Sequence, residues 1–300
     1  MFDLNNLPSV SSESVLVVGY PKSGNKWLTA LLADALRLPV RPAGNVSMDE
    51  LAAQVNSSLH LDPSQPTPQV AKYHLLPDQL LHEVNVEPRH IVYLYRDVRF
   101  VAIASFCYLS RLSHFTGHSN DIKRRSLSQL LFNPIGALRY LHRRLLFARF
   151  LRKFMDGSFR GEMVHHSTWT EHIEAWQMWA RKHPETRVAF VAYEELLDDT
   201  ENQLARVIGQ MGLPVPDMNH LAGSVERQSF KTQKLLKQSL ADKIKQLDKE
   251  GNVTFARRGV SSEWKNFLTC EMAREINTYA GSLILDLGYE QDPNWIEKFE

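Results

Sequence analysis

The stretch Val15-Leu-Val-Val-Gly19-Tyr-Pro-Lys22-Ser23-Gly24-Asn25-Lys26-Trp27 decides how this chain is read. Val15 to Gly19 is a short apolar run rich in β-branched residues, the mark of a strand buried on both faces. Trp27 to Leu36 follows with helical periodicity. Between them, Gly19 and Gly24 keep the G-x-x-x-x-G spacing of a nucleotide phosphate loop. In such a loop, free amides at a helix start and a lysine together cradle an anion. The order departs from the ATP-binding form. Asn25 and Lys26 follow Gly24, Trp27 stands where a Ser/Thr hydroxyl would hold Mg²⁺, and Lys22 lies inside the loop. The motif therefore reads as a phosphate cradle without a magnesium ligand; its plainer reading is a glycine-bounded turn that binds nothing.

The same strand-then-helix pattern recurs. Ile91 to Tyr95 precedes a helical pattern from Phe100 to Leu109, and Val188 to Ala192 precedes one from Glu194 to Met211, closed by Gly212 and Pro214. Such alternation implies βαβ crossovers. The expected fold is α/β, a P-loop-like three-layer α/β/α domain with a central, mainly parallel sheet, forming one domain over residues 1–300. Pro39 to Pro68 reads as an irregular insertion over the sheet edge.

With 43% hydrophobic and 23% charged residues among 300, a sizeable core is available and wholesale disorder is excluded. Two cysteines, Cys107 and Cys270, cannot build a disulfide framework or a four-thiolate zinc site. The start before Val15 is acidic and polar, so no signal peptide is expected, and a reducing, cytoplasmic setting fits. A net charge of +1 argues against nucleic acid as a partner. The charge is uneven, however: Ile122 to Met155 holds nine Lys/Arg and no Asp or Glu. A basic helical insertion is expected at about 116–150, with cations and apolar residues at helical spacing from Ala137 to Lys153. It reads as a hairpin capping the active site, a holder for an anionic acceptor, or a peripheral contact with anionic lipid through 123–153.

Three further places carry chemistry. Lys72 and His74 lie two apart on an extended stretch and so share a face. A cation beside an imidazole discourages ring protonation and keeps it a base near neutral pH. Arg96 ends a strand beside a helix start, where a guanidinium grips a phosphate dianion bidentately; the plainer reading is an ion pair with Asp97. Arg257-Arg258-Gly259 sets two cations before a turn, which taken bare is a solvated loop.

Together these segments resemble the sulfotransferases that use 3′-phosphoadenosine 5′-phosphosulfate (PAPS). Pro21-Lys22-Ser23-Gly24, followed by Trp27, resembles that family's 5′-phosphosulfate loop. The resemblance implies that Lys22 stabilises the leaving group, that Ser23, Gly24, Asn25 and Lys26 line the 5′-phosphate, and that Trp27 stacks on adenine. Asn25 and Lys26 replace the family's hydroxyl residues. Lys72-Tyr73-His74-Leu75-Leu76-Pro77 resembles K-x-H-L-P with one leucine inserted. It implies His74 as the general base and Lys72 as the neutraliser of charge on the transferring group.

Arg96 to Ser105 resembles the 3′-phosphate motif R-D-P-R-D-V-A-V-S, with Arg96 as the key arginine. The family serine falls on Ala104, with Ser105 one position later and about 100° further round the helix; Phe100 replaces an acid. Arg257-Arg258-Gly259 with Trp264-Lys265 resembles R-K-G-x-x-G-x-W-K, a loop closing on the same phosphate, with Ser262 for the second glycine. Tyr193 and Phe230 match residues that approach adenine. Lys265, Thr269, Cys270 and Arg274 fall on the family's dimerisation motif, with cysteine for valine and arginine for glutamate.

The resemblance implies PAPS as co-substrate, no metal, and a small-molecule, carbohydrate or lipid acceptor bearing a hydroxyl or an amine. Two rival functions stand beside it: an ATP-dependent small-molecule kinase, and a catalytically silent nucleotide- or membrane-binding protein.

Overall fold

A computed structural model describes residues 9–41, 67–112, 134–158, 167–229, 232 and 263–297. The apolar runs form strands because each offers two faces with no polar side chain to solvate. β1 (Val15–Val18) is buried at every position. It pairs in parallel with β2 (Val70–Tyr73) on one side, Val15 opposite Val70, and with β3 (His90–Tyr95) on the other, Val15 opposite His90. β4 (Arg187–Ala192) pairs in parallel with β3, giving the order β2-β1-β3-β4. Helices α1 (Asn25–Leu36), α2 (Pro77–Val84), α3 (Val98–Leu112), α4 (Pro134–Met155), α5 (Trp169–Lys182), α6 (Tyr193–Asp198), α7 (Thr200–Gln210), α8 (Met218–Arg227) and α9 (Cys270–Asp286) complete the described elements, with a 3₁₀ turn at Glu263–Asn266. The architecture is the expected P-loop-like α/β arrangement, a central parallel sheet with flanking helices.

Two local expectations change. The helix read from Glu194 to Met211 is two helices, α6 and α7. Asp199 breaks it: its φ is −141°, outside the helical region, and its side chain accepts from the Asn202 amide, which starts α7 afresh. The stretch read only as extended before His74 is the edge strand β2 of the described sheet. Of the basic insertion, residues 116–133 lie outside the described residues, and the remainder belongs to α4.

The chain divides into two compact units. The first holds the described residues up to Gly19, from Gly24 to Tyr95, and from Trp176 to Thr232. Its core packs Leu28, Leu31 and Leu32 of α1 with Val15, Val17, Val92, Leu94 and Val191 of the sheet and Leu204, Val207 and Ile208 of α7. Each such side chain, fully withdrawn from water, contributes about 1.5–3 kcal/mol. The second unit holds Tyr20–Ser23, Arg96–Ala175 and the described residues from Glu263 onward. Its α4 buries Tyr140, Phe147, Phe150 and Phe154 along one face, and Phe106 of α3 meets Phe147 and Phe150 at ring-centroid distances of 5.1 and 5.5 Å.

The strand order reverses about β1, since β2 lies to one side and β3 to the other. In open α/β sheets ligands gather at the carboxyl ends beside such a reversal. Gly19 follows β1, His74 follows β2, Arg96 follows β3 and Tyr193 follows β4. Each strand thus leads directly into a segment that the sequence marks as chemical.

Candidate functional site

In the first unit, Gly24 caps α1 from a left-handed backbone, φ 106°. Its carbonyl accepts from the amides of Trp27 at 2.9 Å and Leu28 at 3.3 Å. A side chain here is excluded twice over, by the positive φ and by the Tyr193 ring, whose Cδ2 would stand 2.5 Å from a Cβ. Trp27 and Tyr193 meet edge-to-face, centroids 5.8 Å apart, and the Trp27 indole donates to the Gln228 carbonyl at 3.2 Å. Two aromatic rings fixed beside a helix start offer a flat apolar contact next to an anion-binding end. Lys26 is exposed and Asn25 is buried.

His74 lies one residue past the end of β2, and Lys72 pairs within that strand opposite Val17. The segment after His74 is tied down where Trp176 donates its indole N–H to the Leu75 carbonyl at 3.0 Å. His74 Nδ1 is 2.7 Å from the Gly19 carbonyl oxygen. A carbonyl only accepts, so Nδ1 carries the proton and donates it there. In its neutral form such a ring has its lone pair at Nε2, the form required of a base.

In the second unit, Lys22 has a left-handed backbone, φ 71°, and a turn forms where the Ser23 amide donates to the Tyr20 carbonyl at 3.2 Å. Arg96 donates from Nη1 to the Lys22 carbonyl at 3.4 Å, which ties the strand-end arginine to the loop lysine. The Lys22 ammonium sits 3.2 Å from the centroid of the Tyr108 ring, and the Arg96 guanidinium 5.2 Å from that of Phe100. Phe100, Ala104 and Tyr108 are four apart and form one row on α3. Ser105 is turned away from that row and is 1% exposed. Ser23 and Ser105 both bury a hydroxyl with no hydrogen-bond partner among the described residues. Tyr20 is held edge-on to Phe154 and His172; burial, then Tyr279 and Glu171, push its phenol far above the usual range, so it stays neutral.

Phe230, Arg257, Arg258 and Gly259 lie outside the described residues. The sequence reading did not single out Tyr108. Tyr108 was findable as the next member of the Phe100–Ala104 row. Trp169 donates its indole N–H to the Arg96 carbonyl at 3.2 Å, steadying the turn that carries the arginine; no sequence signal links positions so far apart. Thr269, read within a dimerisation motif, caps α9 by accepting from the Met272 amide at 3.2 Å.

Comparison with known proteins follows the same lines. The sulfotransferase domain family matches residues 12–288. Sulfotransferase 1A1 of Bos taurus is 23% identical over 269 residues, 86% of this chain and 78% of that protein. The amine sulfotransferase of Oryctolagus cuniculus is 23% identical over 305 residues, 95% of this chain and 88% of that one. Among solved structures, a mouse sulfotransferase complexed with PAP aligns with a TM-score of 0.58 at 18% identity, covering 99% of this chain and 92% of that chain. Retinol dehydratase in complex with retinol and PAP aligns at 0.57 and 18% identity, covering 94% and 84%. At these identities the structural likenesses speak to the fold.

Proposed function

The chain belongs to the sulfotransferase family, and on that premise we propose that it transfers the sulfuryl group of PAPS to an acceptor hydroxyl, or to an amine, with His74 as general base. Neither the ATP-dependent kinase nor the silent binding protein is favoured by that membership. PAPS, when bound, supplies an activated sulfuryl group on a phosphate leaving group. Within each unit the residues present suit an anionic ligand: in the first, a helix-capping glycine with no room for a side chain; in the second, a buried Ser23 hydroxyl with no partner among the described residues, and a lysine and an arginine joined by a hydrogen bond.

The observation that carries the reading is the 2.7 Å contact of His74 Nδ1 with the Gly19 carbonyl. It leaves Nε2 to take the acceptor's proton, a role typically worth about 10²–10⁴-fold in rate. Lys72, two residues before His74, neutralises charge on the transferring group, and Lys22 does so at the leaving oxygen. Trp27 and Tyr193 provide the adenine contact, joined by Phe230. Ser23, Gly24, Lys26 and the Asn25 backbone hold the 5′-phosphate. Arg96 grips the 3′-phosphate with Arg257, Arg258 and Gly259, while the Ser105 hydroxyl, on the buried side of α3, lies off the row that carries the cations. All of these roles belong to one sulfotransferase domain spanning the chain, in a cytoplasmic setting and acting on a small molecule.

Screening acceptor pools with ³⁵S-labelled PAPS identifies that molecule. His74→Ala is then expected to lose transfer while binding adenosine 3′,5′-bisphosphate as the parent does, by calorimetry. Turnover at the parent rate removes the base assignment.

A second reading concerns α4. Leu138, Leu141 and Leu145 are 71%, 57% and 52% exposed and lie three and four apart on one face. His142, Arg149 and Lys153 are exposed on the same helix. Leucines beside cations suit the surface of an anionic bilayer, so α4 is proposed as a peripheral membrane contact; no helix among the described residues is long and apolar enough to cross one. Cosedimentation with phosphatidylserine vesicles that Leu141→Asp abolishes supports it, and binding indifferent to anionic content refutes it.

A further inference from the structure

Asn25 opens α1 and is 3% exposed. Its Nδ2 donates to the Gly19 carbonyl oxygen at 3.0 Å. The same oxygen receives His74 Nδ1–H at 2.7 Å, and Asn25 Nδ2 and His74 Nδ1 stand 3.2 Å apart. The three atoms close a triangle in which one carbonyl accepts two donors, the full complement of its two lone pairs. Two N–H groups aimed at one oxygen do not bond each other, so the Asn25–His74 distance is a packing contact. It limits how far the imidazole can swing.

Two further features hold the arrangement. The Thr29 hydroxyl donates to the Asn25 carbonyl at 2.8 Å, which secures the first turn of α1. A Cβ on Gly19 would collide with the Leu94 carbonyl and the Asn25 side chain, so the carbonyl has one narrow seat. A neutral amide also suits this position, because it brings a donor to the carbonyl without a charge that would favour either protonation state of the ring.

We propose that the Asn25 side chain is a positioning residue for His74: by sharing the Gly19 carbonyl it fixes the Nδ1–H tautomer and keeps the Nε2 lone pair in place. This rests on the reading of His74 as the base. It gives a function to the residue that stands where the resembling family carries a hydroxyl after the glycine. The side chain serves the base, and only the backbone amide at this position serves the phosphate.

Asn25→Leu removes the donor while keeping a branched side chain of four heavy atoms, and Asn25→Ala provides a second variant should the bulkier leucine fail to fold. Ring-¹⁵N-labelled protein, with the His74 signal assigned by its loss in His74→Gln, reports which nitrogen bears the proton at neutral pH. The parent is expected to show Nδ1–H, and the variants a mixture of the two tautomers. On whichever acceptor the labelled-PAPS screen returns, kcat is expected to fall about tenfold, as small misplacements of a reacting group do. Calorimetric affinity for adenosine 3′,5′-bisphosphate should stay within twofold of the parent. An unchanged tautomer with unchanged kcat overturns the proposal, as does a loss of nucleotide affinity that accounts for the loss of rate. If His74→Ala retains full turnover, the base reading fails; if it is inactive while Asn25→Leu behaves as the parent, this inference alone fails.

Discussion

Arg99 offers a sharp test of how the second unit is held together, because it is a cation with 2% of its side chain exposed. Its guanidinium grips Asp97 with Nε 2.9 Å from both carboxylate oxygens and Nη2 2.7 Å from Oδ2. Nη1 donates to Glu290, and the Trp264 and Trp295 rings lie 4.0 and 4.8 Å from the guanidinium carbon. Burial works against the charge on Arg99, but Asp97 and then Glu290 outweigh it and hold the proton more firmly than usual. Asp97→Asn keeps an oxygen able to accept from the Arg99 amide, as Asp97 does at 2.9 Å, but removes the charge and sets an amide donor where Oδ2 accepts from the guanidinium. Breaking a buried pair by removing one partner costs about 3–5 kcal/mol. Glu290 is 24% exposed and still faces the cation, which favours the lower end. At roughly 2–4 °C per kcal/mol for a domain of this order, a loss of about 3 kcal/mol is a fall in Tm of about 6–12 °C. Near-UV circular dichroism follows the two tryptophans through the melt. Adding Arg99→Met to Asp97→Asn removes the stranded cation and is expected to recover part of the loss. A fall of less than 2 °C for the single variant, or a double variant less stable than the single, refutes this account.

The phosphate loop and the outer face of α1 supply two more tests. Gly24→Ala forces a Cβ into a left-handed backbone and against Tyr193. Strain of about 1–3 kcal/mol is expected in Tm, with weaker binding of adenosine 3′,5′-bisphosphate; parent-like affinity and stability would show the loop free to relax. Asp34 bears on pH. Burial raises its carboxyl, but hydrogen bonds from Arg227, Gln228 and Ser224 and the charge of Arg227 outweigh that and hold it below its ordinary value. Its stabilising contribution is therefore present above the unfolded pKa of about 4 and lost as pH falls through the lower folded value. Urea midpoints measured from pH 5 downward should fall less steeply in Asp34→Asn; an identical slope rules the pair out as a source.

How much could be read beforehand depended on whether partners are neighbours in sequence. β1, β3 and β4 were legible because short runs dense in β-branched and aromatic residues, Val15–Val18, Ile91–Tyr95 and Val188–Ala192, leave little else to form. β2 was less so, since Val70-Ala71-Lys72-Tyr73 is buried over only its first half. Asp199 hid the break between α6 and α7, because an aspartate within an amphipathic pattern reads as one more solvent-facing residue until its side chain turns back to cap. Gly19, Lys22 and Gly24 were legible as a loop, being contiguous.

What stayed hidden is the set of side chains that orient the reactive ones. Asn25 and His74 are 49 positions apart, and Trp169 and Arg96 are 73 apart. Periodicity speaks of one face of one element, and none of it says which carbonyl a side chain elsewhere will reach. Ala104 and Ser105 show the limit at its narrowest. A motif match places a hydroxyl within one position, but that position is about 100° of helix. The row Phe100–Ala104–Tyr108, with Arg96 over its first ring and Lys22 over its last, is the face that carries the cations. A hydroxyl restored by Ala104→Ser would stand between them, whereas Ser105 points toward the buried side. Ala104→Ser is accordingly expected to alter nucleotide affinity more than Ser105→Ala, and calorimetry with adenosine 3′,5′-bisphosphate decides between the two faces. The reverse order would mean that the helix presents Ser105 to the ligand and that its buried, unpartnered hydroxyl is the phosphate contact.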